Sequence, residues 1–204
     1  MGKLPADAPS PAVLTGFPWF DSADGKPSVL PPELASFLND GPPPLVVSLG
    51  SFVPFTAQAF YRRAAEIALE LGMRAVLLTQ ADPGIAEPSI MVADYAPHSL
   101  LFPHAAAIVH HGGVGTMGQA LRSGRPQVIV PFTGDQFDHA KRIERLGVGI
   151  SASPEGFMKN GTALLRELLA DPEQARNADR IAREVRAENG ADAAAGRIMQ
   201  VIER

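Results

Sequence analysis

From Leu45 onward the chain alternates short apolar runs with longer stretches in which apolar residues recur at helical spacing. The short runs predict strands over 45–49, 75–79, 90–92, 107–110 and 127–130, with a weaker one over 148–151. The longer stretches predict helices over 56–71, 99–102, 116–123 and 136–146, followed by 155–170, 172–188 and 191–202. A strand with one face in water alternates apolar and polar residues; these do not, so they are expected to be covered on both faces. Strands of that kind alternating with helices predict an α/β fold: a doubly wound, mostly parallel, six-stranded Rossmann-like sheet with helices on both faces. Such sheets bind ligands beyond the carboxyl ends of their strands, so chemistry is expected in the residues that follow each strand.

Residues 1–44 break the rhythm. They carry a large share of the 19 prolines, including Pro5, Pro9, Pro11, Pro18, Pro27, Pro31, Pro32 and the triplet Pro42-Pro43-Pro44. Proline locks its own backbone and drives its predecessor out of the helical region, so an extended path with one short helix near 33–38 is predicted. The stretch reads as a proline-rich linker or interdomain segment in front of one domain over 45–204. A linker joins two bodies, so a lobe preceding this one is expected, in the same parent chain or as a separate subunit.

Composition and charge then remove whole classes of function. With 204 residues, 46% of them hydrophobic and 20% charged, the chain has the make-up of one globular domain. The 18 basic and 22 acidic residues are interspersed and leave a net charge of −4, which provides no basic stripe for a nucleic-acid backbone. Nucleic acid is therefore not an expected partner. No cysteine is present, which removes disulfides, thiolate metal sites and cysteine nucleophiles together. No apolar run has the length of a membrane span. Residues 1–18 lack the basic, apolar, small-residue order of a signal peptide, so a cytoplasmic setting is the default expectation.

Four strand ends carry candidate chemistry. After the strand at 107–110 come His111, Gly112, Gly113, Val114, Gly115 and Thr116, then an amphipathic helix. Glycines at such a turn let the backbone approach a ligand, and first-turn amides present the positive end of the helix dipole, so an anion fits there. The same glycines also suit a tight turn without a ligand, and the Thr116 hydroxyl suits either a phosphate or the helix end. After the strand at 127–130, Asp135 and Gln136 set an acceptor and an amide side by side, as sugar hydroxyls require; Asp135 equally suits a helix cap. Asp135 and His139 stand four apart but lack a third ligand for a metal. After the strand at 90–92, Tyr95 precedes Ala96, Pro97 and His98, where an aromatic ring either stacks on a flat base or packs half-buried. After the first strand, Gly50 and Ser51 form a small turn able to approach phosphate.

Taken together, in order and spacing over residues 45–149, these segments resemble the nucleotide-sugar glycosyltransferases of GT-B fold. That group includes UDP-glycosyltransferases of plants and animals, bacterial macrolide and glycopeptide glycosyltransferases, and sterol glucosyltransferases. The resemblance implies that Tyr95, Ala96, Pro97 and His98 bind the base, with His98 where glutamine is common. It implies that Gly50, Ser51 and His111 to Thr116 (His111, Gly112, Gly113, Val114, Gly115, Thr116) bind the donor diphosphate, with His110 a strand-end residue. Asp135 and Gln136 would grip the sugar, and Gln119 stands where many members place a ribose-holding glutamate.

The same resemblance implies the donor-binding half of an inverting, metal-independent transferase moving a hexose from a UDP- or TDP-sugar to a small-molecule acceptor. No metal or other cofactor is expected; the sequence holds no aspartate-x-aspartate motif. The catalytic base and most of the acceptor pocket would lie on the N-terminal lobe, so no catalytic residue is assigned to this chain. The last helix would dock on that lobe, and its uncovered apolar face would favour self-association. Two other readings remain at this level: a stand-alone donor-binding subunit of a split glycosyltransferase, and a sugar-nucleotide epimerase, for which the sequence offers no acid–base pair.

Overall fold

A computed structural model describes residues 4, 6–20, 28–50 and 57–203. Helix α1 (Pro32–Asn39) leads into β1 (Leu45–Ser48), α2 (Ala57–Glu70), β2 (Ala75–Leu78) and β3 (Ile90–Ala93). Helix α3 (His98–Leu101) runs into a 3-10 turn (Phe102–His104), then β4 (Ala107–His110), α4 (Val114–Ser123), β5 (Gln127–Ile129) and α5 (Gln136–Leu146). The chain closes with β6 (Gly149–Ser151), α6 (Pro154–Ala170), α7 (Pro172–Arg186) and α8 (Gly190–Ile202).

The six strands form one parallel sheet in the order β3-β2-β1-β4-β5-β6, so the expected doubly wound sheet is present. Its four inner strands are buried at every residue, which is why they read as continuous apolar runs; the edge strands β3 and β6 are partly exposed. Successive strand side chains fall on opposite faces. Leu45, Val47, Leu77, Val109 and Val128 pack with Phe60, Ala64, Phe157 and Leu165 from α2 and α6. On the other face Val46, Val76 and Ile108 meet Leu34, Leu38, Leu101 and Phe102. Further along that face Ile129 meets Met117 and Leu121 of α4, Ile143 of α5, and Ile181 and Val185 of α7.

Two expectations change. The helix expected to begin at Thr116 begins at Val114: Gly113 takes the N-cap position, no side chain caps the helix, and Thr116 is buried in the first turn. Thr116 therefore does not act on the helix end as a cap. The segment read as a proline-rich linker and interdomain segment also contributes to the folded body. Leu34 and Leu38 of α1 are core residues. Farther upstream, Phe17 N–H donates to Glu188 Oε2 at 3.0 Å, the Trp19 indole donates to the Glu188 carbonyl at 3.1 Å, and the Arg122 guanidinium lies over the Trp19 ring.

Candidate functional site

The sheet order sets the position of the site. Strands β1 and β4 are neighbours, with Ser48 opposite His110. The helix after β1, α2, packs on one face, whereas the helix after β4, α4, packs on the other. The two connections leave adjacent strands in opposite directions and open a crevice at the carboxyl edge, the switch point at which such folds bind ligands. Gly50 enters it from β1, and His111 to Val114 enter it from β4.

The imidazole of His111 lies between two glycines. A Cβ on Gly50 would stand 2.7 Å from His111 Cε1, and one on Gly113 would overlap Nε2. Gly50 also has φ +65°, a conformation that disfavours any side chain. These glycines therefore make room for the histidine as well as for any ligand. His111 is 8% exposed, and its Nδ1 is buried with no hydrogen-bond partner among the described residues. Burial holds its imidazole below the ordinary histidine range, opposed by the Ser48 backbone and the Asp135 carboxylate. Beside it the N-terminus of α4 lacks a side-chain cap, which leaves the first-turn amides of Val114, Gly115 and Thr116 suited to an anion.

Gly112 has a different task. Its N–H donates to His110 Nδ1 at 3.1 Å, and its carbonyl accepts from His139 Nδ1 at 2.7 Å. With both polar groups of its backbone taken inside the protein, Gly112 shapes the turn, and its amide is not offered to a ligand. His110 is fully buried and hydrogen-bonds through Nε2 to Gln127 Oε1 at 2.9 Å. Because a backbone N–H can only donate, His110 Nδ1 must accept, and the proton sits on Nε2. Burial first, with the neighbouring His111, His98 and His139 adding to it, pushes this imidazole down to about 3.

The β5–α5 turn holds Asp135 and Gln136 in unlike settings. Asp135 occupies the N-cap of α5, yet its carboxylate makes no capping bond and is 68% exposed. Gln136 is buried, and its Oε1 accepts from Phe132 N–H at 2.8 Å and Thr133 N–H at 3.1 Å. Only its amide nitrogen is left for a sugar hydroxyl. After β3, Tyr95 is half-exposed while Ala96 and Pro97 are buried. His98 stacks on Phe102 at 4.3 Å and sits 3.5 Å from Ser48 Oγ, tying this segment to the end of β1. Gln119 is 5% exposed, with Oε1 buried and unpartnered among the described residues. Ser51 lies outside the described residues.

Sequence reasoning passed over Ser48, Gln127 and Tyr61 as supports of this edge, and weighed His139 only as a metal partner of Asp135. Tyr61 on α2 accepts the Leu49 N–H at 2.9 Å and donates to the Leu78 carbonyl at 2.7 Å, joining the ends of β1 and β2. Each contact joins residues 12 or more apart, so spacing along the chain carries no signal for it.

Comparison with known proteins identifies the family and the fold. Residues 58–201 match the profile of the erythromycin biosynthesis protein CIII-like, C-terminal domain. The chain is 35% identical over 190 residues to O-mycaminosyltylonolide 6-deoxyallosyltransferase of Streptomyces fradiae, covering 92% of this chain and 44% of that protein. It is 36% identical over 163 residues to sterol 3-beta-glucosyltransferase of Aspergillus fumigatus, covering 72% of this chain and 11% of that protein. The chain thus spans less than half the length of these relatives. Among solved structures, spinosyn forosaminyltransferase SpnP superposes with a TM-score of 0.75 at 25% identity, over 87% of this chain and 48% of the other. Glycosyltransferase VinC, solved in complex with DTDP, superposes with a TM-score of 0.72 at 27% identity, over 87% of this chain and 45% of the other. The chain belongs to the erythromycin biosynthesis protein CIII-like C-terminal domain family and is a C-terminal domain of the GT-B glycosyltransferases.

Proposed function

We propose that this chain binds the donor of an inverting, metal-independent glycosyl transfer, a UDP- or TDP-hexose, and that an N-terminal lobe binds the acceptor. The observation that carries this reading is the uncapped N-terminus of α4 beside the buried His111, whose Nδ1 has no hydrogen-bond partner among the described residues, at the β1/β4 switch point. An unpaired buried nitrogen costs about 1–3 kcal/mol, and a ligand able to pair with it recovers that cost. The order of the strand ends supports the rest: Tyr95 follows β3, His111 follows β4 and Asp135 follows β5, in the order base, diphosphate, sugar. VinC, a structural neighbour, was solved with a thymidine diphosphate.

In the transfer, an acceptor oxygen forms the new bond to the anomeric carbon while the bond from that carbon to the diphosphate breaks. Negative charge then grows on the diphosphate, and the α4 amides and His111 meet it in place of a divalent cation. Asp135 accepts hydrogen bonds from sugar hydroxyls, and Tyr95 stacks on the base, with Ala96, Pro97 and His98 framing it and Gln119 near the ribose. The base that deprotonates the acceptor belongs to the N-terminal lobe, so this chain alone binds donor without turning it over. The exposed apolar residues of α8 are the surface offered to that lobe.

Calorimetric titration with UDP, TDP and ADP, with and without Mg²⁺, tests the reading. UDP or TDP is expected to bind equally well in both conditions. His111→Ala should cost about 1–3 kcal/mol of diphosphate binding, the range for a charge-assisted hydrogen bond. Asp135→Ala should weaken the nucleotide sugar more than the bare diphosphate. A folded wild type that binds no nucleoside diphosphate at millimolar concentration overturns the proposal.

A further inference from the structure

Outside the groups assigned to donor contact, a directed bond at the carboxyl edge runs from His139 Nδ1 to the Gly112 carbonyl, 2.7 Å long. His139 stands in the first turn of α5, four residues after Asp135, with its side chain 14% exposed. A carbonyl oxygen can only accept, so Nδ1 carries the proton, as it does in one neutral tautomer and in the imidazolium.

The bond acts on more than Gly112. The Gly112 carbonyl and the Gly113 N–H belong to one planar trans peptide and point in opposite directions from it. Fixing the carbonyl toward α5 therefore fixes the Gly113 amide on the side away from α5, at the N-cap of α4 where the donor diphosphate is proposed to sit. A donor on the carbonyl also polarises the peptide and strengthens the N–H opposite as a donor. The preceding peptide is held by the Gly112 N–H on His110 Nδ1. Gly112 itself is wedged, since a Cβ there would stand 2.9 Å from Ile129 Cγ2 and 3.4 Å from the Gln136 carbonyl, and its φ is +89°. Two imidazoles, from β4 and α5, thus set both peptides of the turn.

We infer that His139 is a positioning residue, which aims the Gly113 amide at the diphosphate and ties that turn to the Asp135-bearing helix so that diphosphate and sugar subsites keep one relative geometry. The inference rests on the donor-binding reading above.

The test has two arms, both on the 204-residue chain. In the first, long-range ¹H–¹⁵N spectra of the wild type at pH 8, where an ordinary histidine is neutral, report the tautomers. His139 is expected with its proton on Nδ1 and His110 with its proton on Nε2; a proton on Nε2 of His139 overturns the inference whatever the variants do. In the second, UDP and TDP affinities are compared for wild type, His139→Leu and His139→Asn. The leucine removes the donor and should weaken binding about tenfold, with the Gly113 amide proton shift altered. The asparagine amide donates from nearly the Nδ1 position and should restore affinity to within about threefold. A leucine variant that binds like the wild type, or an asparagine variant as weak as leucine, overturns the positioning role alone. A wild type that binds no nucleoside diphosphate overturns the donor reading and this inference with it.

Discussion

Two adjacent histidines at the end of β4 have opposite environments. His111 borders the crevice, whereas His110 is sealed in the sheet against Gln127 and the Gly112 amide. An unfolded chain protonates His110 near pH 6.5, and the folded protein does so only near 3. Between those values the unfolded state binds more protons. The contribution of His110 to stability is therefore complete above about pH 6.5 and falls with pH, by at most about 1.4 kcal/mol per pH unit from this one group. Urea denaturation between pH 7 and 4 should show a steeper loss for the wild type than for His110→Gln; parallel profiles would count against the buried neutral imidazole. Gly115 is the reverse case, a residue that the fold does not require to be glycine. A Cβ added there meets no atom within 4 Å, and its φ is not positive. Alanine in a helix is worth about 0.5–1 kcal/mol over glycine, so Gly115→Ala should raise the thermal midpoint. Because a helical Cβ leans toward the N-terminus, the same methyl enters the proposed diphosphate space and should weaken UDP binding in calorimetry.

Secondary-structure elements present these residues, and their ends are pinned by side chains from elsewhere. The clearest pin is Tyr61, whose hydroxyl joins Leu49 at the end of β1 to Leu78 at the end of β2. Burial pushes this phenol up to about 12. Tyr61→Phe keeps the ring but leaves a backbone N–H and a carbonyl unpaired in the interior. The expected loss is about 2–6 kcal/mol in urea denaturation, from about 1–3 kcal/mol for each of the two orphaned groups. A loss below about 0.5 kcal/mol would mean that water or a shifted backbone takes over both bonds. The elements themselves were legible: among the described residues every strand and α-helix lies within two residues of its predicted bounds, because apolar runs covered on both faces leave little ambiguity. The start of α4 was missed because threonine is a good N-cap, whereas here the buried packing of Thr116 places it inside the helix.

The whole molecule is one sheet with a lopsided edge. Four apolar residues of α8 stand open to solvent, Ile198 at 59%, Met199 at 52%, Val201 at 67% and Ile202 at 70%, and only Gly190 of that helix is buried. A face of that kind is normally covered by a partner surface. Sedimentation velocity of the isolated chain should show association that grows with concentration, and Ile198→Glu with Ile202→Glu should abolish it without changing UDP affinity. A wild type that stays monomeric at high concentration would remove self-association while leaving donor binding intact.

The sequence by itself determined the α/β class, the strands and helices, and the strand ends at which His111, Asp135 and Tyr95 lie. Those features depend on local periodicity and on glycine and proline chemistry, which act over a few residues. Only the tertiary structure decided which strands are neighbours, and so that Gly50 and Gly113 enclose the His111 ring. It alone decided that the Gly112 backbone is consumed by His110 and His139, and that the Gln136 side-chain amide oxygen is spent on its own loop. These outcomes turn on directed hydrogen bonds and steric contacts, many of them between residues far apart in the chain, and hydrophobic patterning carries no record of direction.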